Sequence, residues 1–420
     1  MTANDITFQR PCPVCGHTSG RRLADLPFAA FDDETLGGDF ILAGCPECGL
    51  AFYDSGLAEE TLANYYRQNT HYVTSATPGG GGTSELDRQH QQEIFARLAP
   101  YLSALPPDAA IMEVGCGQGG LLEVLNDNGF KALGVEPLPA AAEMGRARGL
   151  DVQSGSAERL PFPEVEPSVL IYSHVMEHLL NPGRALAEAK KRLKSDGFIY
   201  IEVPDAEYYT QDGPPYQNFY LEHLNHFSSC SLAWLLNNQG FEVLEMGRSD
   251  FCLPGGRAQK VLWATAAVGG RKALNINDSG KGPSRPVPAR PAISSSTPAM
   301  VFEAIDGYLK WSAAHPALSL LAELSEKKTP IWVWGLSQLT LLLLRISPLK
   351  DCRLAGFIDK DPYKLNRRLM RFEIFPPEVL CLCGQHDTIV LAAWGYENAM
   401  MEQLRRLGFK GRTISLYNQR

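Results

Sequence analysis

The chain has 420 residues, a formal net charge of −8, 45% apolar residues and 20% charged residues. This length exceeds what one hydrophobic core usually supports, so we expect two or three domains, and the composition excludes an intrinsically disordered protein. The acidic balance argues against a nucleic-acid substrate, because binding a phosphate backbone needs clustered Lys and Arg. The polar start of the chain predicts no signal peptide. The longest apolar run, residues 331–346, is too short to cross a bilayer and predicts a buried strand followed by a helix. We therefore expect a cytoplasmic protein without a membrane partner.

Four of the ten cysteines form two CxxC knuckles. Cys12 and Cys15 form the first, Cys45 and Cys48 form the second, and a glycine follows each knuckle and lets backbone N–H groups point at the sulfurs. Four thiolates supply the ligands of a closed, structural zinc site, whereas a redox CxxC pair and unliganded core cysteines are the alternatives. The interval between the knuckles predicts an inserted hairpin over residues 23–42. The remaining cysteines are predicted to pack in the core or in loops.

Helical and strand patterns then alternate along the chain. A helix over residues 58–67 ends the zinc-binding module, glycines at 79–82 form a flexible joint, and a helix over 84–102 leads into a strand at 111–114. Further strands at 132–135, 169–172 and 198–203, separated by helices, predict a doubly wound parallel sheet.

The turn after the first of these strands predicts a nucleotide site. Its glycines let the backbone approach a ligand, and the helix that follows offers unpaired N–H groups. Gly115, Gly117 and Gly120 satisfy the dinucleotide pattern GxGxxG, and Glu136 ends the next strand where a ribose-binding acid belongs. Glu113 favours S-adenosylmethionine over NAD, because a carboxylate there would repel a pyrophosphate but suits the amino and sulfonium groups of S-adenosylmethionine. An NAD oxidoreductase is kept as a minor alternative.

A second α/β unit is predicted at the end of the chain. Residues 266–298 are rich in Gly, Pro and Ser and predict a linker. The strand and helix patterns of residues 299–420 predict a smaller Rossmann-like domain, with strands at 331–334, 354–358, 388–392 and 412–415 and a helix at 397–407. Only Gly335 remains of a phosphate loop, so this domain is interpreted as a scaffold or pocket wall rather than as an independent cofactor site. The predicted domains are therefore 1–68, 69–265 and 299–420, with 266–298 as the linker.

The glycine turn and the segments after it resemble the class I S-adenosylmethionine-dependent methyltransferases. Glu113, Gly115, Gly117 and Gly119 match the family pattern acid-x-G-x-G-x-G, residues 155–162 resemble the adenine-side loop, and residues 169–178 resemble the fourth strand and its exit. The resemblance implies an α/β, doubly wound Rossmann-like fold that binds S-adenosylmethionine. The donor-binding residues that it implies are Glu113, Gly115, Cys116, Gly117, Gly119, Glu136, Pro137, Ala157, Glu158, Ser173 and His174.

The order of the modules is similar to that of the nucleotide-sugar C-methyltransferases. Residues 218–228 are similar to the Tyr-x-Glu-His…Phe-Ser segment of that family. The resemblance implies methylation of a ring carbon beside the keto group of a nucleotide-linked deoxysugar. The site residues that it implies are His223 as the base, Tyr220 and Glu222 as its partners at the sugar, and His178 and Tyr72 as further pocket positions. Residues 335–339 depart from the lysine-containing turn of the family, which leaves binding of a nucleotide diphosphate open.

Methylation of carbon requires a base that removes a proton alpha to a carbonyl and a donor that steadies the enolate oxygen. Glu222 is expected to hold the His223 imidazole and favour its charged form, while Tyr220 or His178 donates to the oxyanion. The structural alternatives are that His178 lines the donor site or caps a turn, that Glu222 and His223 precede a helix as a structural element, and that Tyr72 packs at an interface. The alternative functions are O- or N-methylation of another polar metabolite and a non-catalytic S-adenosylmethionine-binding module. The sequence leaves the oligomeric state open.

Overall fold

The structure is a computed structural model, and it describes residues 4–33, 36–68, 82–209, 211, 213–253, 257–269 and 296–417. Tyr72, most of the predicted glycine joint and most of the predicted linker lie outside these residues. Among the described residues, no helix is long and apolar enough to cross a membrane.

Three sheets and their flanking helices make up the described part of the chain. The strands are β1 (Asp5–Thr7), β2 (Ser19–Phe28), β3 (Gly38–Gly44), β4 (Ala51–Asp54), β5 (Ala110–Val114), β6 (Lys131–Glu136), β7 (Asp151–Ser154), β8 (Val169–Ser173), β9 (Phe198–Pro204), β10 (Asn225–His226), β11 (Phe241–Leu253), β12 (Arg257–Val268), β13 (Ile331–Trp334), β14 (Leu354–Ile358), β15 (Arg368–Leu369), β16 (Phe372–Phe375), β17 (Thr388–Leu391) and β18 (Arg412–Ser415). The α-helices are α1 (Glu59–Gln68), α2 (Glu85–Leu102), α3 (Gly120–Asp127), α4 (Pro139–Ala147), α5 (Pro182–Arg192), α6 (Ser229–Asn238), α7 (Pro298–Ala313), α8 (Pro316–Lys327), α9 (Gln338–Ile346) and α10 (Glu397–Leu407).

The N-terminal sheet is antiparallel and has the strand order β1-β2-β3-β4-β10. Strands β2 and β3 form the hairpin predicted between the two cysteine knuckles. The last strand, β10, comes from a distant part of the chain, where Asn225 pairs with Phe52 and His226 pairs with Ala51. The N-terminal sheet therefore includes a piece of the segment that carries the predicted acceptor residues.

The central sheet has the order β11-β12-β9-β8-β5-β6-β7. The strands from β5 to β9 are parallel, which agrees with the predicted Rossmann-like core, and helix α2 that precedes them starts at a capping box between Ser84 and Asp87. The sequence analysis did not predict β11 and β12, which form a long antiparallel hairpin on the β9 edge and make the sheet mixed. Strand β12 also continues past residue 266, where the linker was predicted to begin, since Ala266 and Ala267 pair with the first residues of β9. The domain boundaries themselves stay a prediction.

The C-terminal sheet has the order β15-β16-β14-β13-β17-β18 and is parallel apart from β15. The strands β13, β14 and β18 and the helix α10 have the bounds that the sequence predicts. Helix α8 and the β15–β16 hairpin were not predicted.

The N-terminal sheet and the C-terminal unit share one hydrophobic core. Leu26, Phe28 and Tyr53 from the N-terminal sheet belong to the same buried cluster as Leu341 and Leu342 of α9. The amide of Ala29 also donates a hydrogen bond of 3.0 Å to the carbonyl of Leu341. The two units therefore stabilise each other, because each covers apolar surface of the other that would otherwise meet water.

Candidate functional site

The predicted donor site begins at the carboxyl end of β5. The turn that follows has positive φ at Gly115 (76°), Gly117 (55°) and Gly119 (84°), a conformation that L side chains rarely adopt. A Cβ atom at Gly115 would also lie 2.6 Å from Cγ2 of Val175, in the segment after β8. The sequence therefore folds here into a bare backbone turn that ends at the N-terminus of α3.

Glu136 holds this turn in place from the end of the neighbouring strand β6. Its carboxylate accepts hydrogen bonds from the amides of Gly117 and Leu138, each of 2.8 Å. Burial raises the pKa of Glu136 to about 7. One carboxylate thus ties the glycine turn to the start of the next helix, and its remaining lone pairs are available to a ribose hydroxyl.

Glu113 lies within β5, is only 5% exposed, and its Oε2 atom has no hydrogen-bond partner among the described residues. Burial, together with the charge of Glu136, raises the pKa of Glu113 to about 8. An unpaired buried carboxylate costs folding free energy unless a cation compensates it. The residues present therefore fit a ligand that brings positive charge to this turn, which is the property that the sequence analysis attributed to S-adenosylmethionine.

The other predicted donor-binding residues divide into two groups. Ala157 is buried, and Pro137 and Glu158 are half-buried, in the two loops that follow β6 and β7. Cys116 is different, because its thiol packs inward, where it would contact a Cβ atom at Gly134. Only the backbone of Cys116 can therefore face a ligand in the turn.

Ser173 ends β8 and pairs with Glu202 of β9. His174 follows it with a φ of 53°, and its amide donates to the carbonyl of Glu202 at 2.9 Å. Its imidazole turns toward the carboxylates of Glu177 and Glu202. His174 therefore belongs to a polar cluster beside the predicted donor site.

The predicted acceptor residues that the structure describes do come together. The rings of His178 and His223 lie 4.8 Å apart, and those of Tyr220 and His223 lie 4.9 Å apart. The hydroxyl of Tyr66 lies 2.8 Å from Nδ1 of His178. Residues from α1, from the segment after β8 and from the segment before β10 thus form one cluster.

Glu222 is held by both outer units of the molecule. Its Oε1 accepts hydrogen bonds from the hydroxyl of Tyr65 and, at 3.1 Å, from Nε2 of Gln338, the first residue of α9. The sequence analysis did not predict these contacts, since Gln338 enters it only as part of residues 335–339, which depart from the family turn.

The electrostatic expectation for His223 is wrong. Burial, followed by the neighbouring imidazoles of His178, His226 and His174, lowers the pKa of His223 well below its usual value, so the charged form is disfavoured. Burial and the charge of Glu222 raise the pKa of Tyr220. At neutral pH the cluster therefore presents a neutral imidazole that can accept a proton and a phenol that can donate one.

Asn225 fixes the position of this segment. Its Nδ2 donates to the carbonyls of Met176, at 3.1 Å, and Leu179, at 2.7 Å. On the other side, the amide of Tyr53 in β4 donates to the carbonyl of Leu224 at 2.9 Å. The residues just before Asn225 are therefore held between the N-terminal sheet and the turn that carries His178.

The four predicted zinc ligands form one cluster. The sulfurs of Cys12 and Cys48 lie 3.6 Å apart, those of Cys15 and Cys45 lie 3.4 Å apart, and all four lie within 4.8 Å of one another. Bonds of about 2.3 Å from zinc to each sulfur place tetrahedral thiolates roughly 3.8 Å apart, so the spacing fits a zinc ion and is too long for a disulfide. Gly16 and Gly49 have positive φ, as the knuckle turns require. The cluster is therefore compatible with a zinc site.

Comparison with known proteins agrees with this geometry. The family described as a methyltransferase domain matches residues 86–246. A probable S-adenosylmethionine-dependent methyltransferase of Mycobacterium tuberculosis is 26% identical over 162 residues, which cover 38% of this chain and 56% of that protein. The C-methyltransferase NovU of Streptomyces niveus is 22% identical over 254 residues, which cover 57% of each protein.

Among solved structures, the 1,6-didemethyltoxoflavin-N1-methyltransferase of Burkholderia thailandensis, with S-adenosylhomocysteine bound, is 18% identical. That alignment covers 52% of this chain and 95% of that one, with a TM-score of 0.36. The chain spans little more than half the length of these curated relatives, at 56% and 57%.

Proposed function

We propose, starting from the class I S-adenosylmethionine-dependent methyltransferase domain that this chain contains, that the protein methylates a carbon atom of a nucleotide-linked keto-deoxysugar. The observation that carries the proposal is the cluster of Tyr220, His223 and His178 at the edge of the sheet where the glycine turn lies. The C-methyltransferase NovU, which matches 57% of this chain, supports carbon as the acceptor atom.

In the proposed reaction the neutral His223 imidazole accepts the proton alpha to the substrate carbonyl. Burial keeps this imidazole uncharged at neutral pH, and an imidazolium formed beside a substrate enolate would gain an opposite charge that raises its pKa when it is needed. Tyr220, whose pKa burial raises, keeps its proton and can donate to the enolate oxygen. When bound, S-adenosylmethionine supplies a sulfonium-activated methyl group for the substrate carbon.

Glu113 and Glu136 perform the binding part of this function. Glu113 offers an unpaired carboxylate to the cationic part of the donor, and Glu136 fixes the glycine turn through two backbone amides. A rigid turn and a charge in a buried position orient the donor before the acceptor binds, which favours an in-line transfer.

The proposal is tested by incubation of the protein with a nucleotide-linked 4-keto-deoxysugar and S-adenosylmethionine that carries a ¹³C methyl group. We expect a product whose labelled methyl group is bonded to a ring carbon, as carbon–carbon coupling and the methyl chemical shift in NMR spectra report. A labelled methyl group bonded to oxygen or nitrogen would contradict methylation of carbon. That result would still agree with a domain that binds S-adenosylmethionine and transfers its methyl group. The same mixture without protein is the control for chemical methylation.

Methylation of oxygen or nitrogen on another polar metabolite is the second candidate, and the C-terminal turn favours it. The amide of Leu336 donates at 2.8 Å to Oδ2 of Asp359, which also lies 3.1 Å from Nζ of Lys364. The amide is thus engaged by a carboxylate of the same chain, and a diphosphate at this turn would be repelled by that carboxylate. An acceptor that lacks a nucleotide would not need this turn, and a substrate panel with and without the nucleotide separates the two candidates.

A further inference from the structure

Three buried polar atoms converge beside the predicted donor site. They are Nε2 of His90 in α2, Nε2 of His174 after β8, and Oε1 of Glu202 in β9, and none makes a hydrogen bond within the described part of the chain. The side chains are 9%, 11% and 0% exposed, respectively. Groups of this kind are costly to bury unless something joins them.

The three atoms lie close enough together to share a cation. Nε2 of His90 lies 2.6 Å from Oε1 of Glu202, as a direct ion pair. Nε2 of His174 lies 3.6 Å from the same oxygen, and the three atoms lie within 4.8 Å of one another. Ligands about 2.0–2.2 Å from a zinc ion lie roughly 3–3.6 Å apart, so a small opening of the His90 contact would admit the ion.

The groups around these atoms already have the arrangement of an outer ligand shell. Nδ1 of His174 lies 3.2 Å from Oε1 of Glu177, which leaves Nε2 as the nitrogen that can bind a metal. Oε2 of Glu202 lies 2.7 Å from Nη1 of Arg97 and accepts a hydrogen bond of 2.9 Å from the hydroxyl of Tyr200. His174 and Glu202 are thus each oriented through their second polar atom, while the first polar atom lies at the shared position.

The charges also suit a divalent cation. The carboxylate of Glu202 lies 2.7 Å from Nη1 of Arg97, an opposite charge that favours the ionised form. The ionised carboxylate is the form that binds a metal ion. The ring of Phe251 lies 4.6 Å from that of His90 and 5.2 Å from that of His174, so this side of the cluster is apolar.

We propose that His90, His174 and Glu202 form a second metal site, separate from the four cysteines, that binds a divalent transition-metal ion such as Zn²⁺ through two imidazole nitrogens and one carboxylate oxygen. Imidazole and carboxylate ligands suit zinc and its neighbours rather than Mg²⁺ or Ca²⁺. The ion would join α2, the end of β8 and β9. Since Val175 contacts Gly115, it would also fix the segment that packs on the glycine turn.

The test is metal content after dialysis of the full-length protein against excess Zn²⁺ and removal of loosely bound metal. We expect about two zinc ions per chain for the wild type and about one for H90N and for E202Q. H386N replaces an exposed histidine of the C-terminal unit and should retain the wild-type content. H178N distinguishes the neighbouring group of Glu177, His178 and His223, whose ligand atoms also lie within 4.8 Å of one another.

Loss of the second ion in H178N but not in H90N or E202Q would overturn the assignment. One zinc ion per chain in the wild type would also overturn it, and this result needs no variant to fold. A replacement of zinc by Co²⁺ gives a second measurement, since the proposed site adds weak nitrogen and oxygen ligand-field bands to the intense thiolate bands of the cysteine cluster.

Discussion

Glu113 is the residue of the predicted donor site whose charge would respond most directly to a bound cation. It is buried, its Oε2 has no hydrogen-bond partner within the described part of the chain, and burial, together with Glu136, raises its pKa to about 8. A bound cation would stabilise the charged carboxylate and lower that pKa again. Binding of a cationic donor is therefore coupled to the release of a proton.

We expect the affinity for S-adenosylmethionine to rise with pH between about pH 6 and about pH 8, by up to about tenfold per pH unit for each proton released. The E113Q variant removes one of the two titrating carboxylates and should bind more weakly, with a flatter pH dependence. Isothermal titration calorimetry in buffers of different ionisation enthalpy measures both the affinity and the protons released. An affinity of the wild type that is independent of pH would contradict this prediction.

The same shift predicts how the stability of the free protein depends on pH. A carboxyl group whose pKa rises from 4.5 to about 8 on folding binds its proton more tightly in the folded state. The stabilisation is complete below the unfolded pKa and is lost as the pH rises through the folded pKa. At about pH 8 the free E113Q variant should therefore unfold at a higher urea concentration than the free wild type, and equal midpoints would show that folding does not raise the pKa of Glu113.

A substitution of His223 tests proton transfer separately from binding of the methyl donor. Its neutral imidazole contacts the rings of His178 and Tyr220, whereas the glycine turn is held by Glu136. We expect H223Q to lower the rate of methyl transfer by roughly 10²- to 10⁴-fold while the dissociation constant of S-adenosylhomocysteine stays within about twofold. H386Q, at an exposed position, is the matched control. Transfer at the wild-type rate in H223Q would exclude this histidine as the base.

At the scale of elements, periodic patterns predict those parts of the fold that are determined locally. The strands β13 and β14 are short apolar runs next to turn residues, and their bounds follow directly from the sequence. The β11–β12 hairpin was missed because charged residues such as Arg248 and Asp250 interrupt its alternation, and Arg248 pairs with the distant Asp205 and Glu207. Partners that lie far apart in sequence cannot be read from a local pattern.

Asn225 links two elements of the candidate site, because its side chain joins the segment that contains His223 to the turn that contains His178. Replacement by alanine removes two hydrogen bonds to buried carbonyls, so we expect N225A to lower the free energy of unfolding by about 1–3 kcal/mol. We also expect a fall in the rate of methyl transfer with little change in donor affinity. N238A, which removes a single bond of 3.2 Å to the carbonyl of Val14, is the control. Equal transfer rates in both variants would contradict a positioning role for Asn225.

At the scale of the whole molecule, the candidate acceptor site depends on contacts that no single segment encodes. The sequence analysis identified Tyr220, Glu222, His223 and His178 through a family resemblance, and the structure brings them together. The contacts of Glu222 with Tyr65 and Gln338 arise only when the N-terminal and C-terminal units pack on the central domain. The side chains of His90 and Glu202 likewise come together although 112 positions separate them in the sequence.

The shared core predicts that the N-terminal sheet and the C-terminal unit unfold cooperatively. Phe28 is fully buried in the cluster that also contains Leu341 and Leu342, so F28A should destabilise the protein by about 3–5 kcal/mol and loosen both outer units together. Hydrogen-exchange mass spectrometry should then show faster exchange in β2 and in α9, although only β2 carries the substitution. L404A is the matched control, because Leu404 lies in a separate hydrophobic cluster around β17 and α10. This substitution should accelerate exchange in β17 and α10 without affecting β2. Faster exchange of F28A confined to residues 19–44 would show that the two units unfold independently despite their common core.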